Sequence, residues 1–570
     1  MRVGEPNIHF PKQAISTSLG KGTYNRETGE VFLNPHVPDE SKNFVVKHTK
    51  SGRDVTFNTQ VLLYNLNTGR IEANKVDSII VADATIFPEG GRVEFQPDGG
   101  IAPLENAVIK APTRLNHHVI QEAQVVIRSG SEYVGKGRYK YTDIEGKPQF
   151  ITMDSIYVQN GVTTARAKIR SEDEFLLTDR ILFRDEVELK ADRRFLYFKG
   201  EVRIQSDNDF LRDSWFSFEG IVNPDTVFIP IKDPKNRKGQ QLTVGLHFVQ
   251  VYRSFYTNFL QPKKNQDDID VLLAEGGLSV DRASKSFRIG PMKKLNGESY
   301  RGNWVEYNDA TRITTAYGRL NFPASFPPGG AELAVSGMWR EEQRFQKLST
   351  DLIFAFHLPN IPSSLAEAIG TRFNLWALAL QDMEYTEPRF IEAIAELVDP
   401  DTTQPETNTR EILQVAQRTA LAKNVPFAKK LPVTLLLARV PFRRSDSTGA
   451  LFVSADVGVA GIGGIGIAKY CPAKIEYSFG PYNPAERTRA PDVLTIYLEP
   501  TEGNWLFILY SGYVVRIVTS DVGLNRQIKQ VADKQKDYNK DPSKPKLQLI
   551  LADPSEKDDF LQRFSGYLLR

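Results

Sequence analysis

The most constraining feature of this sequence is a two-residue alternation of apolar and charged side chains between residues 160 and 230. Across 186–191, apolar residues at 187, 189 and 191 alternate with charged residues at 186, 188 and 190. Successive side chains on a β-strand point to opposite faces, whereas a helix would need apolar residues every three to four positions. The pattern therefore predicts strands with one buried face and one solvated face.

The alternation recurs, which predicts how the strands assemble. Segment 181–189 is echoed by 196–204 and more weakly by 215–222. A single strand pair cannot bury its apolar face alone, so we expect the pairs to stack into a continuous sheet. The charged neighbours Glu186, Glu188, Glu201 and Arg203 should then face solvent. The inward positions, which are candidates for the lining of an apolar groove, are Val187, Leu189, Val202 and Ile204.

The whole chain is predicted to be mainly β, with stacked strand repeats of a β-solenoid or jellyroll type. Its 40 Gly and 33 Phe favour sheet with many turns. A helical insert and a small α/β C-terminal region complete the expected fold. We predict five segments: a β entry segment at 1–60, stacked strand repeats at 61–159, a jellyroll-like region at 160–360, the helical insert at 361–430, and the α/β domain at 431–570.

Helix-start signals support the insert and the C-terminal region. Ser364 followed by Glu367 fits a capping box. Residues 410–422 read as a further helix of the insert. Near the end of the chain, Asp553 precedes a proline and is followed by Glu556, which is typical of a helix N-terminus.

Charge and segment composition exclude some classes of protein. The net charge is +2, with basic and acidic residues interspersed, so a nucleic-acid partner is not expected. No apolar run approaches the ~20 residues of a membrane helix, and the first residues lack the apolar region of a secretory signal. The expected location is cytoplasmic if the chain is complete. It is the cell envelope, periplasmic or surface, if the chain is excised from a longer secreted protein.

One motif matches the sequence pattern of a cofactor-binding loop. Residues 461–466 match the G-x-G-x-x-G pattern of dinucleotide-binding loops, which must lie between a strand and a helix. Here Cys471-Pro472 follows almost at once, and a proline there would break the helix. We therefore expect a glycine-rich strand against which another backbone packs closely, and no cofactor.

Metal and catalytic signals are weak. His117 and His118 are adjacent, so on a strand they would point to opposite faces, and a surface role is expected. The acid runs 172–174 and 267–270 lack the spacing of a calcium loop and are expected in solvated turns. No metal site is predicted, and nothing marks the single cysteine, Cys471, as a nucleophile.

Two stretches carry a resemblance to known proteins: SIIVADATIFP at 78–88, with the Gly91-Arg92-Val93 that follows, and DVLTIYLE at 492–499. They resemble a group of large uncharacterised envelope proteins of Bacteroidetes-type bacteria. That resemblance implies an envelope location and transfers no functional residue. The strand–glycine–strand units of 160–222 are similar to the OstA-like β-jellyroll domains of lipopolysaccharide transport. That likeness implies an open V-shaped solenoid with an apolar inner groove.

These observations leave two functional hypotheses. The favoured one is a non-catalytic cell-envelope scaffold or binding module, with other envelope proteins or an apolar or glycan ligand as partners. The alternative is a carbohydrate-active β-helix enzyme, in which acids such as Asp77, Asp83 and Asp98 would act. Two carboxylates facing each other across a groove at ~5–10 Å would favour the enzyme, and an apolar trough would favour the binding module.

Overall fold

The protein is mainly β, as the alternation predicts. The computed structural model describes residues 7–18, 21–34, 44–50, 52–143, 146–178, 180–208, 211, 215–224, 228–342, 347–383, 388–397, 433–539 and 545–567. Strands hold 54% of the residues and helices 13%, which confirms the predicted fold class. The chain divides into two compact units, Met1–Val227 and Phe228–Arg570. The finer division into five segments stays a prediction.

The first unit is built on a large antiparallel sheet. In sheet order its strands are β1 (Asn7–Phe10), β2 (Ile15–Ser18), β5 (Phe44–His48), β6 (Val55–Thr59), β9 (Ile79–Val81), β10 (Ala84–Phe87), β12 (Leu104–Ala111), β13 (His118–Ser129), β14 (Glu132–Thr142), β15 (Pro148–Gln159), β16 (Val162–Ile169), β18 (Ile181–Lys190), β19 (Tyr197–Ile204) and β20 (Phe216–Ile221), with β17 (Leu176–Thr178) paired to β18.

A second sheet covers the first part of this one. Its strands in order are β11 (Val93–Phe95), β8 (Ile71–Asn74), β7 (Val61–Asn65), β4 (Glu30–Asn34) and β3 (Lys21–Asn25). Consecutive strand pairs thus alternate between the two sheets. The ring of Phe57 on β6 stacks on Phe95 of β11, with centroids 6.1 Å apart. Each pair therefore buries its apolar face against the opposite sheet.

Beyond β11 the large sheet continues alone and curves. The ring of Tyr141 on β14 lies 6.0 Å from that of Phe198 on β19, although three strands separate β14 from β19 in the sheet. The Tyr141 hydroxyl donates to the carbonyl of Leu177 at 2.6 Å. Side chains on this face of the sheet therefore contact each other across several strands.

The second unit contains a second long, mostly antiparallel sheet. Its strands in order are β21 (Phe228–Ile231), β25 (Gly276–Asp281), β26 (Ser286–Gly290), β27 (Trp304–Asn308), β28 (Ile313–Leu320), β29 (Glu332–Glu342), β30 (Lys347–His357), β31 (Leu435–Val440), β33 (Leu451–Ile462), β34 (Ile465–Ser478), β37 (Val493–Thr501), β38 (Asn504–Ser511), β39 (Val514–Thr519) and β40 (Gln548–Leu551), with β32 (Arg443–Arg444) paired to β33. Smaller sheets are formed by β23 (Ser254–Gln261), β22 (Thr243–Val249) and β24 (Ile269–Leu273), and by β35 (Tyr482–Asn483) and β36 (Thr488–Arg489).

The α-helices whose bounds fall within the described residues lie in the second unit. They are α1 (Met292–Leu295), α2 (Ser363–Trp376), α3 (Pro388–Leu397), α4 (Val522–Lys534) and α5 (Pro554–Ser565). Strand β40 pairs with β39 in parallel, with α4 between them in the chain, so the end of the chain is the expected small α/β region. No helix within the described ranges is long and apolar enough to cross a membrane. The helix predicted at 410–422 lies outside the described residues.

The two predicted helix starts have different outcomes. At α5 the Asp553 side chain accepts from the Ser555 backbone N–H at 2.9 Å, and Glu556 accepts from the Asp553 N–H at 3.1 Å. This capping box confirms the prediction. At α2 the predicted cap is wrong, because the N-cap is Pro362, two residues before Ser364, and no side chain caps the helix.

Candidate functional site

The four residues proposed for an apolar groove lie inside the first unit. Val187, Leu189, Val202 and Ile204 are at most 2% exposed, so they point inward as the alternation requires. Of their charged neighbours only Glu186 is exposed. Glu201 and Arg203 are half-buried. Arg184 Nε donates to the Glu201 carboxylate at 2.8 Å, and the Arg203 guanidinium stacks on Trp215. The assignment of the four apolar residues to a groove stays a prediction.

The outer face of the same strands carries a shallow depression lined by charges. Arg166 on β16 pairs with Glu188 on β18 at 3.3 Å, and Lys168, Glu186 and Lys199 line the same depression. In the strand register Lys168 lies opposite Glu186, which lies opposite Lys199. Such alternating cross-strand charges are typical of a solvated sheet face.

The glycine motif at 461–466 forms a β-hairpin. Strand β33 ends at Ile462 and β34 begins at Ile465, with Gly463 and Gly464 at the turn. A Cβ at Gly463 would lie 2.1 Å from the backbone carbon of Ala366 on α2. The motif is followed by a strand, and helix α2 packs closely on the turn, which confirms the expected glycine-rich strand.

The prediction of a surface role for the histidine pair is wrong. His117 precedes β13, so the strand rule does not separate the two rings, whose centroids lie 4.5 Å apart. His118 is buried, and its Nε2 lies 2.6 Å from the carbonyl oxygen of Arg193. Burial lowers the pKa of His118 to about 4. Hydrogen bonds of the two histidines to backbone carbonyls thus join the loop after β18 to the start of β13.

Two of the acids named for a carbohydrate enzyme, Asp83 and Asp98, accept backbone hydrogen bonds within the fold. The Asp83 carboxylate accepts from the backbone N–H of Thr163 at 2.9 Å, and Asp98 accepts from the N–H of Gly100 at 2.9 Å. Residues 172–174 lie in an exposed turn, as expected. The same expectation is wrong for Asp268, which is buried and accepts a hydrogen bond from the Tyr256 hydroxyl at 2.7 Å. Within the described ranges no three potential ligands cluster to hold a metal.

A hydroxyl–imidazole–carboxylate chain on β22 was not anticipated. His247 is fully buried, with Nδ1 2.9 Å from Asp270 and Nε2 3.2 Å from the Thr243 hydroxyl. That hydroxyl also lies 3.2 Å from the Gln261 carbonyl and accepts from Asn258 at 3.1 Å. Since the hydroxyl already has these partners and the imidazole is enclosed, the chain joins β22, β23 and β24 and does not form a nucleophilic site.

The site that sequence reasoning missed is a groove beside helix α5, here called the helix groove. Its floor is the face of β37, β38 and β39, and α5 forms one wall with Glu556, Asp559, Phe560 and Arg563. Three apolar floor residues, Val493, Leu509 and Val514, are partly exposed to solvent. Partly exposed apolar side chains in a concave site are typical of ligand pockets.

Two ion pairs hold α5 across this floor. In the strand register Glu476, Thr495, Leu509 and Arg516 form one row over β34, β37, β38 and β39. Arg563 of α5 pairs with Glu476 at 3.2 Å, and Glu556 of α5 pairs with Arg516 at 3.0 Å. The helix is therefore fixed at both ends of the row, with Thr495 and Leu509 between the two ion pairs.

Thr495 contributes a buried hydroxyl to the helix groove. Its side chain is 1% exposed, and among the described residues its Oγ1 has no hydrogen-bond partner. A buried hydroxyl without a partner costs free energy, on the order of 1–3 kcal/mol, unless a water or a ligand supplies one. Thr495 also lines the groove. A bound molecule that reached this buried hydroxyl would supply its missing partner.

Comparison with known proteins does not place the chain in a family. It matches no protein-family model. No curated protein matches it either.

Proposed function

We propose that this chain is a non-catalytic scaffold or binding module of the cell envelope, and that it binds an amphiphile with an acyl chain in the helix groove. The observation that carries the proposal is the pairing of an apolar floor with one buried, unpartnered hydroxyl. Val493, Leu509 and Val514 would contact the chain of the ligand, and Thr495 its polar end. Of the charged residues that line the groove, Arg516, Glu556 and Arg563 lie in ion pairs at the two ends of the row, and Asp559 is an exposed residue of α5.

The first unit supports the scaffold part of the proposal. Strand pairs alternate between two sheets up to β11, and the large sheet then runs without interruption to β20. Stacking of this kind extends a protein along one direction because each pair contacts mainly its neighbours. The envelope location rests on the resemblances of residues 78–88 and 492–499 and is part of the proposal.

Binding of a fluorescent acyl probe to the whole chain tests the proposal. We expect saturable binding that weakens at least tenfold in Leu509→Gln, which makes the floor polar at nearly constant size. Thr495→Val keeps the shape and removes the hydroxyl, so it should weaken binding of a probe with a polar head more than binding of a plain hydrocarbon probe. Ile221→Gln, at an exposed residue of the first unit, is the matched control and should bind as the parent does.

The opposite results would overturn the proposal. An unfolding midpoint measured for each variant separates lost binding from lost folding. No saturable probe binding by the parent, or equal binding by the parent and a folded Leu509→Gln variant, removes the helix groove as the site. Release of reducing ends from a glycan substrate by the purified chain would replace the binding module with the carbohydrate enzyme.

A further inference from the structure

Three strongly exposed apolar side chains lie at the adjoining ends of α2 and α4. Leu375 is 55% exposed, Leu378 66% and Val522 65%. The two helices meet here, because Arg372 Nε on α2 pairs with Asp521 Oδ2, the N-cap of α4, at 3.0 Å. Leu375 lies about one helical turn beyond Arg372, and Val522 directly follows Asp521. We call this surface, formed by Leu375, Leu378 and Val522, the helix-end face.

Cations continue this surface along α4. Val522, Arg526 and Lys529 are spaced by four and then three residues, which places them on one side of the helix. All three are exposed, whereas Leu524 and Ile528 on the other side are buried. Among the residues that the structure describes, neither Arg526 nor Lys529 has an acidic partner within ion-pair distance. The apolar side chains are thus bordered by two cations that form no ion pair with the described residues, and the next acid on that side of the helix, Asp533, pairs with Lys536 instead at 3.3 Å.

We propose that the helix-end face docks onto a membrane surface that carries anionic lipid headgroups. Apolar side chains can enter the headgroup boundary while neighbouring Arg and Lys meet the anionic headgroups. A protein partner fits less well, since Lys is depleted in protein interfaces and three apolar side chains provide little contact area. The proposal is independent of ligand binding in the helix groove, which lies along α5.

Vesicle co-sedimentation of the full chain tests the proposal. We expect binding to phosphatidylglycerol–phosphatidylcholine vesicles at low salt, and at least tenfold weaker binding to phosphatidylcholine alone or at high salt. Leu375→Ser with Leu378→Ser and Val522→Ser should reduce binding at least tenfold. Arg526→Gln with Lys529→Gln should do the same, while Arg526→Lys with Lys529→Arg keeps the charge and the binding.

A matched control uses exposed apolar residues elsewhere. Leu115→Ser and Val251→Ser remove comparable side chains at other positions and should leave vesicle binding unchanged. Because every substituted residue is exposed, the unfolding midpoints should equal that of the parent. The proposal fails if the parent does not bind anionic vesicles, or if the triple serine variant binds as well as the control. Concentration-dependent dimerisation that only the triple variant abolishes would assign the face to a second copy of the chain instead.

Discussion

The Tyr477 hydroxyl donates to the carboxylate of Asp492 at 2.6 Å, and both side chains are completely buried. Asp492 also accepts from the backbone N–H groups of Ser325 at 2.7 Å and Gly480 at 2.8 Å, and from Arg489 at 3.0 Å. A carboxylate can be buried when cationic and hydrogen-bonding partners replace water. Burial, together with this carboxylate, raises the pKa of Tyr477 well above its ordinary value.

Removal of this carboxylate should be strongly destabilising. Asp492→Ala leaves the Arg489 guanidinium buried without its counter-charge and deprives two backbone N–H groups of an acceptor. We expect a loss of about 3–5 kcal/mol in the free energy of unfolding, measured by urea denaturation. Asp446→Ala removes an exposed aspartate of the same unit and should leave the midpoint unchanged. A loss for Asp492→Ala no larger than that control would show that Asp492 does not anchor the core.

The sequence predicted the β architecture because alternation is a local property of each strand. It did not predict the hydrogen bonds of Asp492, since Ser325 lies 167 residues away and donates through its backbone. A backbone donor leaves no signature in residue types. The prediction for the histidine pair was wrong because the alternation of side chains along a strand was assumed for His117, which lies one residue before β13 begins.

The helix groove depends on register, which a single sequence does not give. Thr495, Leu509 and Arg516 become neighbours only when β37, β38 and β39 pair as they do. One local signal was present. Thr495 is a polar residue between Leu494 and Ile496, and buried hydroxyl groups usually have a hydrogen-bond partner.

The hairpin turn at 463–464 offers a matched pair of substitutions. Both glycines have positive φ, +57° and +84°, so an alanine strains the backbone at either position. Only Gly463 also faces α2, where a Cβ would lie 2.1 Å from Ala366, while nothing lies within 4 Å of a Cβ at Gly464. We expect Gly464→Ala to cost about 1 kcal/mol and Gly463→Ala at least about 3 kcal/mol, since α2 must move. Equal unfolding midpoints for the two variants would contradict the close packing of α2.

The inward direction of Val202 can be tested against a neighbour on the same strand. Val202→Asp places a charge at a fully buried position and should lower the free energy of unfolding by about 3–5 kcal/mol. Lys199→Asp introduces the same carboxylate on the exposed face, between Glu186 and Glu219, and should cost only about 1 kcal/mol. Acyl-probe binding, measured on the same samples, tests the groove assignment. A folded Val202→Asp variant that loses probe binding would place the ligand here and not in the helix groove.

The buried imidazole of His118 predicts a dependence of stability on pH. Burial lowers its pKa from 6.5 to about 4, against the opposing effect of the hydrogen bond to the Arg193 carbonyl. Between these values the unfolded chain binds more protons than the folded chain. The free energy of unfolding should therefore fall as pH decreases from about 6.5 to 4, by about 3 kcal/mol from this group, and this contribution is fully present above pH 6.5.

Burial also lowers the pKa of His48 and His247, so the pH dependence of the parent is the sum of the contributions of all three histidines. The difference in unfolding free energy between the parent and His118→Gln isolates the His118 share, because glutamine does not titrate and can still donate to Arg193. This difference should shrink as pH falls from 7 to 4, and a constant difference over that range would contradict the assignment.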